Sequence, residues 1–316
     1  MRGVKLLSKL LNWAIVRQKI SLIRNVQKNS IFARHNLHKN EKRKPVAKTI
    51  INANNNSLWL SLKQLFKHRR LILLFTIRDV CVKYSQTYLG VMWSLIQPVF
   101  GVVIFTYIFG KLLNVGTDGS PYPIFVLTGL APWYYFSYIV AYSGVSLIES
   151  QHIIRKIYFP KLVLPLSKSL TGLIDFSIWT FLIILLMIFY GVIPTYKILF
   201  YPIFVLLTAI SGLTIGIWLS ALTYRKRDFM HIIPYLIGFS IFITPVFFPT
   251  LIIPEKYHYL VYANPMAGII QGIRWCLLGQ TDFSLKYLTG IIPMLIFFIG
   301  SLFYFSKVEQ KIADQV

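Results

Sequence analysis

Acidic residues are scarce in this sequence: 10 Asp and Glu stand against 33 Lys and Arg, and charged residues of all kinds make up 14% of 316 positions. A soluble domain carries nearer a quarter, so an ordinary soluble enzyme is excluded. Membrane enzymes of glycan assembly need clustered carboxylates or metal ligands, and proton-coupled carriers place several ionisable groups inside their spans. Here only Asp175 lies well within an apolar stretch, and it is expected to pair with Lys168 or to bond a neighbouring helix. Inverted repeats are not apparent. The two cysteines, Cys81 and Cys276, have no metal-like spacing, and the topology derived below puts them on opposite sides of the membrane, which excludes an intrachain disulfide. Neither G-x-x-x-x-G-K-[ST] nor H-E-x-x-H occurs. No catalytic residue, no metal site and no cofactor bound by this chain are therefore expected.

Apolar residues, by contrast, make up 56% of the chain and aromatics 16%, with a mean hydropathy of +0.62. They come in blocks of about 20, the length a helix needs to cross a bilayer while satisfying its own backbone. The fold class is all-α integral membrane. Six transmembrane helices are expected, near 90–113, 122–147, 162–190, 198–222, 232–248 and 287–306, the first broken by Pro98 and the second containing Pro132. Between the fifth and sixth, a segment rich in proline (Pro245, Pro249, Pro254, Pro265) leads into the apolar piece 266–279. That piece is too short to cross and reads as a re-entrant hairpin on the outer side.

Residues 1–57 hold 13 Lys and Arg with one acid, Glu41, and so carry +12 of the net +23. The first 29 residues are mildly amphipathic, fit a helix on anionic lipid, and lack the small-residue cleavage site of a secretory signal. Residues 28–57 are Asn-rich and basic and read as a flexible linker or tail. Residues 58–85 alternate apolar and basic positions, with Arg69, Arg70, Arg78 and Asp79 leaving no uncharged stretch long enough to span. An amphipathic helix lying in the cytosolic interface is expected. Arg155, Lys156 and Lys161 lie between spans two and three, and Arg225, Lys226 and Arg227 between four and five. Lys and Arg counted this way put both termini in the cytosol. They also account for the basic balance without nucleic acid.

The cytosolic stretch 149–160 stands out. Glu149, Ile153, Arg155, Lys156, Tyr158, Phe159 and Pro160 combine apolar and charged groups in a short amphipathic run that ends at a helix-starting proline. Exposed apolar residues rimmed by charge mark a protein docking surface.

The motifs, taken in order, resemble a known family. They are Arg78-Asp79, Gln86-Thr87-Tyr88-Leu89-Gly90-Val91-Met92-Trp93, Gln97-Pro98, Gly129-Leu130-Ala131-Pro132-Trp133 and Arg155-Lys156-Ile157-Tyr158-Phe159-Pro160. Trp218-Leu219-Ser220-Ala221-Leu222, Arg227-Asp228, Thr244-Pro245-Val246 and Asn264-Pro265-Met266 complete the set. Over residues 58–316 the chain resembles the permease subunit of ABC-2 type polysaccharide exporters, which move O-antigen, capsule and teichoic-acid polymers. Residues 1–57 exceed the family pattern, and Arg225-Lys226 is a small basic addition. The resemblance implies a homodimer in a bacterial inner membrane, with two copies of a separate ABC ATPase that carries ATP and Mg. Residues 149–160 would be the coupling helix seated on that ATPase, and the cargo a lipid-linked polysaccharide. A permease for a drug or lipid is the alternative within transport, and a membrane enzyme of glycan assembly the alternative outside it.

Sugars stack on aromatic faces and slide along them without fixed ion pairs. Phe105, Tyr107, Trp133, Tyr134, Tyr135, Phe136, Phe239, Phe242 and Phe247 are therefore candidate path-lining residues as a set, although each ring taken singly reads equally as lipid-facing packing. Arg69, Arg70 and Arg78 are placed to admit a lipid-diphosphate carrier, since guanidinium groups suit phosphate. Ordinary headgroup contact accounts for the same charges.

Overall fold

The computed structural model describes residues 65–85, 90, 92–117, 119–279 and 283–313. The basic extension 1–57, the amphipathic piece up to residue 64 and most of the motif 86–91 lie outside these residues. Among the described residues every regular element is a helix. They are α1 (Arg69–Ser85), α2 (Met92–Phe105, continued by a π-helical stretch Thr106–Leu112), α3 (Tyr122–Glu149), α4 (Gln151–Ile154), α5 (Val163–Phe189), α6 (Tyr201–Arg225), α7 (Phe229–Ile243), α8 (His258–Ala263), α9 (Pro265–Leu278) and α10 (Leu288–Ala313).

Among the described residues, five helical stretches are long and apolar enough to cross a membrane: Met92–Leu112, Tyr122–Glu149, Val163–Phe189, Tyr196–Arg225 and Leu285–Gln310. The fifth expected span is a shorter apolar helix, Phe229–Ile243, which rises about 22 Å against a hydrocarbon core of about 30 Å. It stops because Pro245 biases Thr244 to an extended backbone, ψ 134°.

The central helix is α3, which packs against α2, α5, α6, α7 and α9. Its closest neighbour is α6, and small residues allow the approach. A Cβ added to Gly212 or Gly216 would lie 2.8 Å from the Cβ of Ile139 or Ser143. Such a small-x-x-x-small stripe is how helices meet where lipid removes the hydrophobic drive between them. Hydroxyls tie α3 to two neighbours: Ser143 donates to the Pro165 carbonyl of α5 at 3.0 Å, and Ser146 lies 3.4 Å from Ser220 of α6.

Helix α2 runs through Pro98 without a break. Proline has no N–H, so the carbonyl four residues earlier, on Ser94, loses its helical donor. Trp179 of α5 supplies one, its indole N–H reaching the Ser94 oxygen at 2.6 Å. A neighbouring span thus re-satisfies the freed backbone group, which is how proline survives inside a membrane helix.

Helix α9 has the sequence signals of both its ends. Asn264 accepts the Met266 N–H at 3.0 Å, Pro265 opens the first turn, and Gly279 closes it at φ +69°. Nearly all of the helix is buried. At its start Asn264 donates to Thr244 at 2.9 Å, and at its end the Gly279 carbonyl accepts from Lys197 at 3.4 Å. The helix is 14 residues long, about 21 Å.

Candidate cavity and docking segment

The α3 sequence places Tyr134, Tyr138 and Tyr142 four residues apart, on one face of the helix. That face looks into a cavity of about 590 Å³. Tyr84 of α1, Trp93 of α2 and Trp179 of α5 bring further rings to it, and Tyr135 and Ser137 complete the α3 wall. Pro234, Ile237 and Gly238 of α7 close the far side. Tyr138 and Tyr142 lie 4.3 Å apart, centroid to centroid, and Tyr134 meets Trp179 edge-on at 5.1 Å. The cavity wall is therefore aromatic faces interspersed with hydroxyls.

One carboxylate faces this space. Asp175 of α5 accepts from the Lys83 ammonium and the Tyr84 hydroxyl, and from the Ser94 hydroxyl at 2.7 Å. Both of its oxygens are engaged. Burial, reinforced by the bond to Asp175, pushes the Tyr84 hydroxyl up to about 12, so it stays protonated and donates. The Lys83 ammonium also sits 4.5 Å above the Tyr138 ring, a cation–π contact. The arrangement can stack and hydrogen-bond a ligand.

A second charged group joins α1 to α5. Asp79 pairs with Arg78 at 2.7 Å and with Lys168 at 3.0 Å. Lys168 in turn reaches Glu149, at the end of α3, at 3.5 Å. Thr76 donates to the Ser167 carbonyl at 3.4 Å, and Phe75 packs on Phe159 at 5.7 Å. So α1 is fastened along α5, while Leu73, Leu74, Ile77 and Val82 remain exposed on its other side. Of the cations expected to meet lipid phosphate, Arg69 and Arg70 are exposed. Arg78 is engaged with Asp79 and lies 4.6 Å over the Phe75 ring.

The segment after Glu149 is a single helical turn, α4, followed by irregular chain. It divides sharply by burial. Ile153 and Ile154 pack on the core, and Phe159 and Pro160 are buried. Arg155, Lys156, Ile157 and Tyr158 are exposed. Lys161 fixes the base of this loop: its backbone N–H donates to Glu309 at 2.7 Å and its ammonium lies 5.6 Å from the Tyr158 ring. Burial lowers the Lys161 ammonium from its ordinary value, against the opposing pull of Glu309.

The remaining candidate aromatics lie outside the cavity wall. Phe105 stacks on Phe247 at 4.8 Å, with Phe109 and Phe242 against the same ring. Trp133 and Phe136 are buried against each other at 5.4 Å. Tyr107, Phe239 and Phe242 are exposed. Of the nine, the cavity brings together Tyr134 and Tyr135. The residues that sequence reasoning passed over are Tyr84, Trp93, Tyr138, Tyr142 and Trp179. The four-residue spacing from Tyr134 to Tyr142 was the available signal.

Near α9, Arg274 is fully buried. It donates to the carbonyls of Pro245 at 3.0 Å, Val246 at 2.5 Å and Phe125 at 3.4 Å, and lies 3.7 Å over the Phe125 ring. The sequence placed it among the outer connections. The structure puts it in the interior, where it ties the chain after α7 to α3.

Residues 70–278 match the sequence family described as ABC-2 type transporter. An O-antigen export system permease protein, RfbA, of Klebsiella pneumoniae is 28% identical over 249 residues, 77% of this chain and 94% of that protein. The RfbA protein of Myxococcus xanthus is 28% identical over 66% of this chain and 80% of its own length. The polysialic acid transport protein KpsM of Escherichia coli is 24% identical over 75% of this chain and 93% of its own. With the family match covering well over half of its length, this chain belongs to the ABC-2 type transporters.

Proposed function

We propose that the chain is the membrane-spanning half of an ATP-driven exporter that carries a lipid-linked polysaccharide from the cytosol to the outer face of a bacterial inner membrane. The observation that carries this reading is the cavity. Its walls hold Tyr84, Trp93, Tyr134, Tyr138, Tyr142 and Trp179, and its one acid is fully engaged. Sugar rings present C–H faces that stack on aromatic planes, and hydroxyls that exchange with those of tyrosine and serine. A path of this kind holds a polymer weakly at many points and lets it slide. The names of the relatives, O-antigen export and polysialic acid transport, support a polymer as cargo.

In this reading two copies pair, and each binds one copy of a separate ATPase subunit that holds ATP and Mg. The exposed face of Arg155, Lys156, Ile157 and Tyr158 meets the ATPase, while Ile153, Phe159 and Pro160 root that face in the permease. Glu149 joins the segment to α5 through Lys168. Both termini are cytosolic, as the basic loops require, and α7 serves as a sixth crossing. The helix α1 lies in the cytosolic interface with Leu74 and Ile77 toward lipid. The ends of α9 reach Thr244, just after α7, and Lys197, just before α6, and the proline-rich segment with α9 is read as the re-entrant outer hairpin. Arg69 and Arg70, exposed at the start of α1, meet the carrier's phosphates.

The test is export in cells that depend on this permease and its ATPase. Replacing both Tyr138 and Tyr142 with Ala is expected to cut surface polysaccharide about tenfold or more, with membrane insertion and ATPase association intact. Undiminished surface polymer in that double variant would sink the proposal.

A further inference from the structure

We propose that the cavity selects uncharged glycan segments and discriminates against acidic ones, so that the cargo of this exporter is a neutral polysaccharide. This rests on the reading of the cavity as the sugar path.

The charge balance of the walls carries the argument. Among the described residues lining the cavity, Lys83 is the one cation and Asp175 the one anion, and they are bonded to each other. The pair is further committed: Asp175 takes hydroxyls from Tyr84 and Ser94, and Lys83 lies over the Tyr138 ring. A carboxylated sugar unit entering this space finds no cation that is not already engaged. It brings a negative charge toward the negative faces of the tyrosine and tryptophan rings and toward Asp175 itself. To recruit Lys83 it would have to pull that ammonium from Asp175, leaving a buried carboxylate without its cation. That exchange is unfavourable.

A neutral pyranose meets none of these obstacles. Its C–H face covers an aromatic plane, and its hydroxyls reach Tyr134, Tyr138, Tyr142 and Gln97. The Ser137 hydroxyl, on a cavity-lining residue, has no hydrogen-bond partner in the structure. Such a hydroxyl can donate to or accept from a neutral ligand hydroxyl. Neutral partners are in surplus, and free charge is absent from the wall.

Tryptophan emission offers the test, because Trp93 and Trp179 both line the cavity. The full chain in lipid nanodiscs is titrated with a linear mannose oligosaccharide and, separately, with an oligosialic acid of equal length. The neutral glycan is expected to quench emission with an affinity at least about tenfold higher, which corresponds to about 1.4 kcal/mol. The signal should vanish when Trp93 and Trp179 are both replaced by Phe. Asp175→Asn, which leaves Lys83 unneutralised, is expected to narrow the discrimination several-fold. An oligosialic acid that binds as tightly as the neutral glycan, or more tightly, overturns the selectivity while leaving the sugar path standing. Absence of quenching by either glycan overturns both together. If Asp175→Asn does not fold, the titration of the unaltered protein decides alone.

Discussion

Two buried cations in this molecule are accommodated in opposite ways. Arg274 hands its guanidinium protons to the backbone carbonyls of Pro245, Val246 and Phe125, acceptors that cannot move without the chain itself moving. Lys168 meets Asp79 and Glu149, acceptors at the ends of side chains, one of which also has a second cation in Arg78. The first arrangement is a clamp. Its planar fork of donors matches fixed acceptors, and its loss strands the Pro245 and Val246 carbonyls together, while the Phe125 carbonyl keeps the Thr128 hydroxyl at 2.9 Å. The second is a chain of exchangeable partners, in which each member retains something when its neighbour leaves. The clamp lies among α9, α3 and the segment after α7, and the chain lies beside residues 149–160. A transporter needs one region to hold still while another is reset, and the chemistry of the two regions differs in that direction.

The comparison breaks most readily at the clamp. Arg274→Leu keeps apolar bulk but removes the donor from three buried carbonyls, and it is expected to destabilise the protein by about 3–5 kcal/mol. Thermal unfolding in detergent, followed by size-exclusion of heated samples, measures this. Arg274→Lys is expected to recover only part of the loss, since one point charge cannot serve three acceptors in a plane. A Leu variant as stable as the parent would remove the clamp from the account.

Gly129 sharpens the same point from the other side. A Cβ there would lie 2.1 Å from the Val246 carbonyl oxygen and 2.7 Å from an Arg274 nitrogen. Gly129→Ala is therefore expected to push the clamped segment off α3 at a cost of about 1–3 kcal/mol, despite the better helix propensity of alanine. The same unfolding assay would show it, and a neutral outcome would mean that the segment can shift freely.

Arg274 and Gly129 also mark the limit of what the sequence made legible. Long apolar blocks announced most of the spans, because a bilayer forces backbone satisfaction within each helix. The caps of α9 were equally readable in Asn264, Pro265 and Gly279. What could not be read was which side chain meets which across helices. Asp175 was expected to pair with Lys168 or to bond a neighbouring helix. Seven positions on one helix put Lys168 about 10 Å away along the axis, and the cation arrives from α1 as Lys83 instead. Four consecutive aromatics, Trp133 to Phe136, could not all share a wall, since successive helix positions turn by about 100°. Tyr134 and Tyr135 face the cavity, while Trp133 and Phe136 pack inward. Continuity of α2 through Pro98 depended on an indole eighty-five positions beyond Ser94, a contact no local pattern encodes.

Lys168→Met gives the smallest effect and the finest test of the contrast. The methionine keeps the buried stem, so packing is preserved, and only the ammonium is lost. Asp79 retains Arg78 at 2.7 Å, and Glu149, half exposed, returns to solvent. Because the buried Asp79 is not left without a cation, the expected cost is about 1 kcal/mol, that of one lost hydrogen bond, rather than the 3–5 kcal/mol of a buried pair that loses one partner. What should change is the link between α3 and α5 at the docking segment: ATP hydrolysed per polymer exported should rise, while the unfolding temperature scarcely moves. A loss of stability matching that of Arg274→Leu would erase the difference between clamp and chain. Intact stability with altered coupling would place the exchangeable charges on the side of motion.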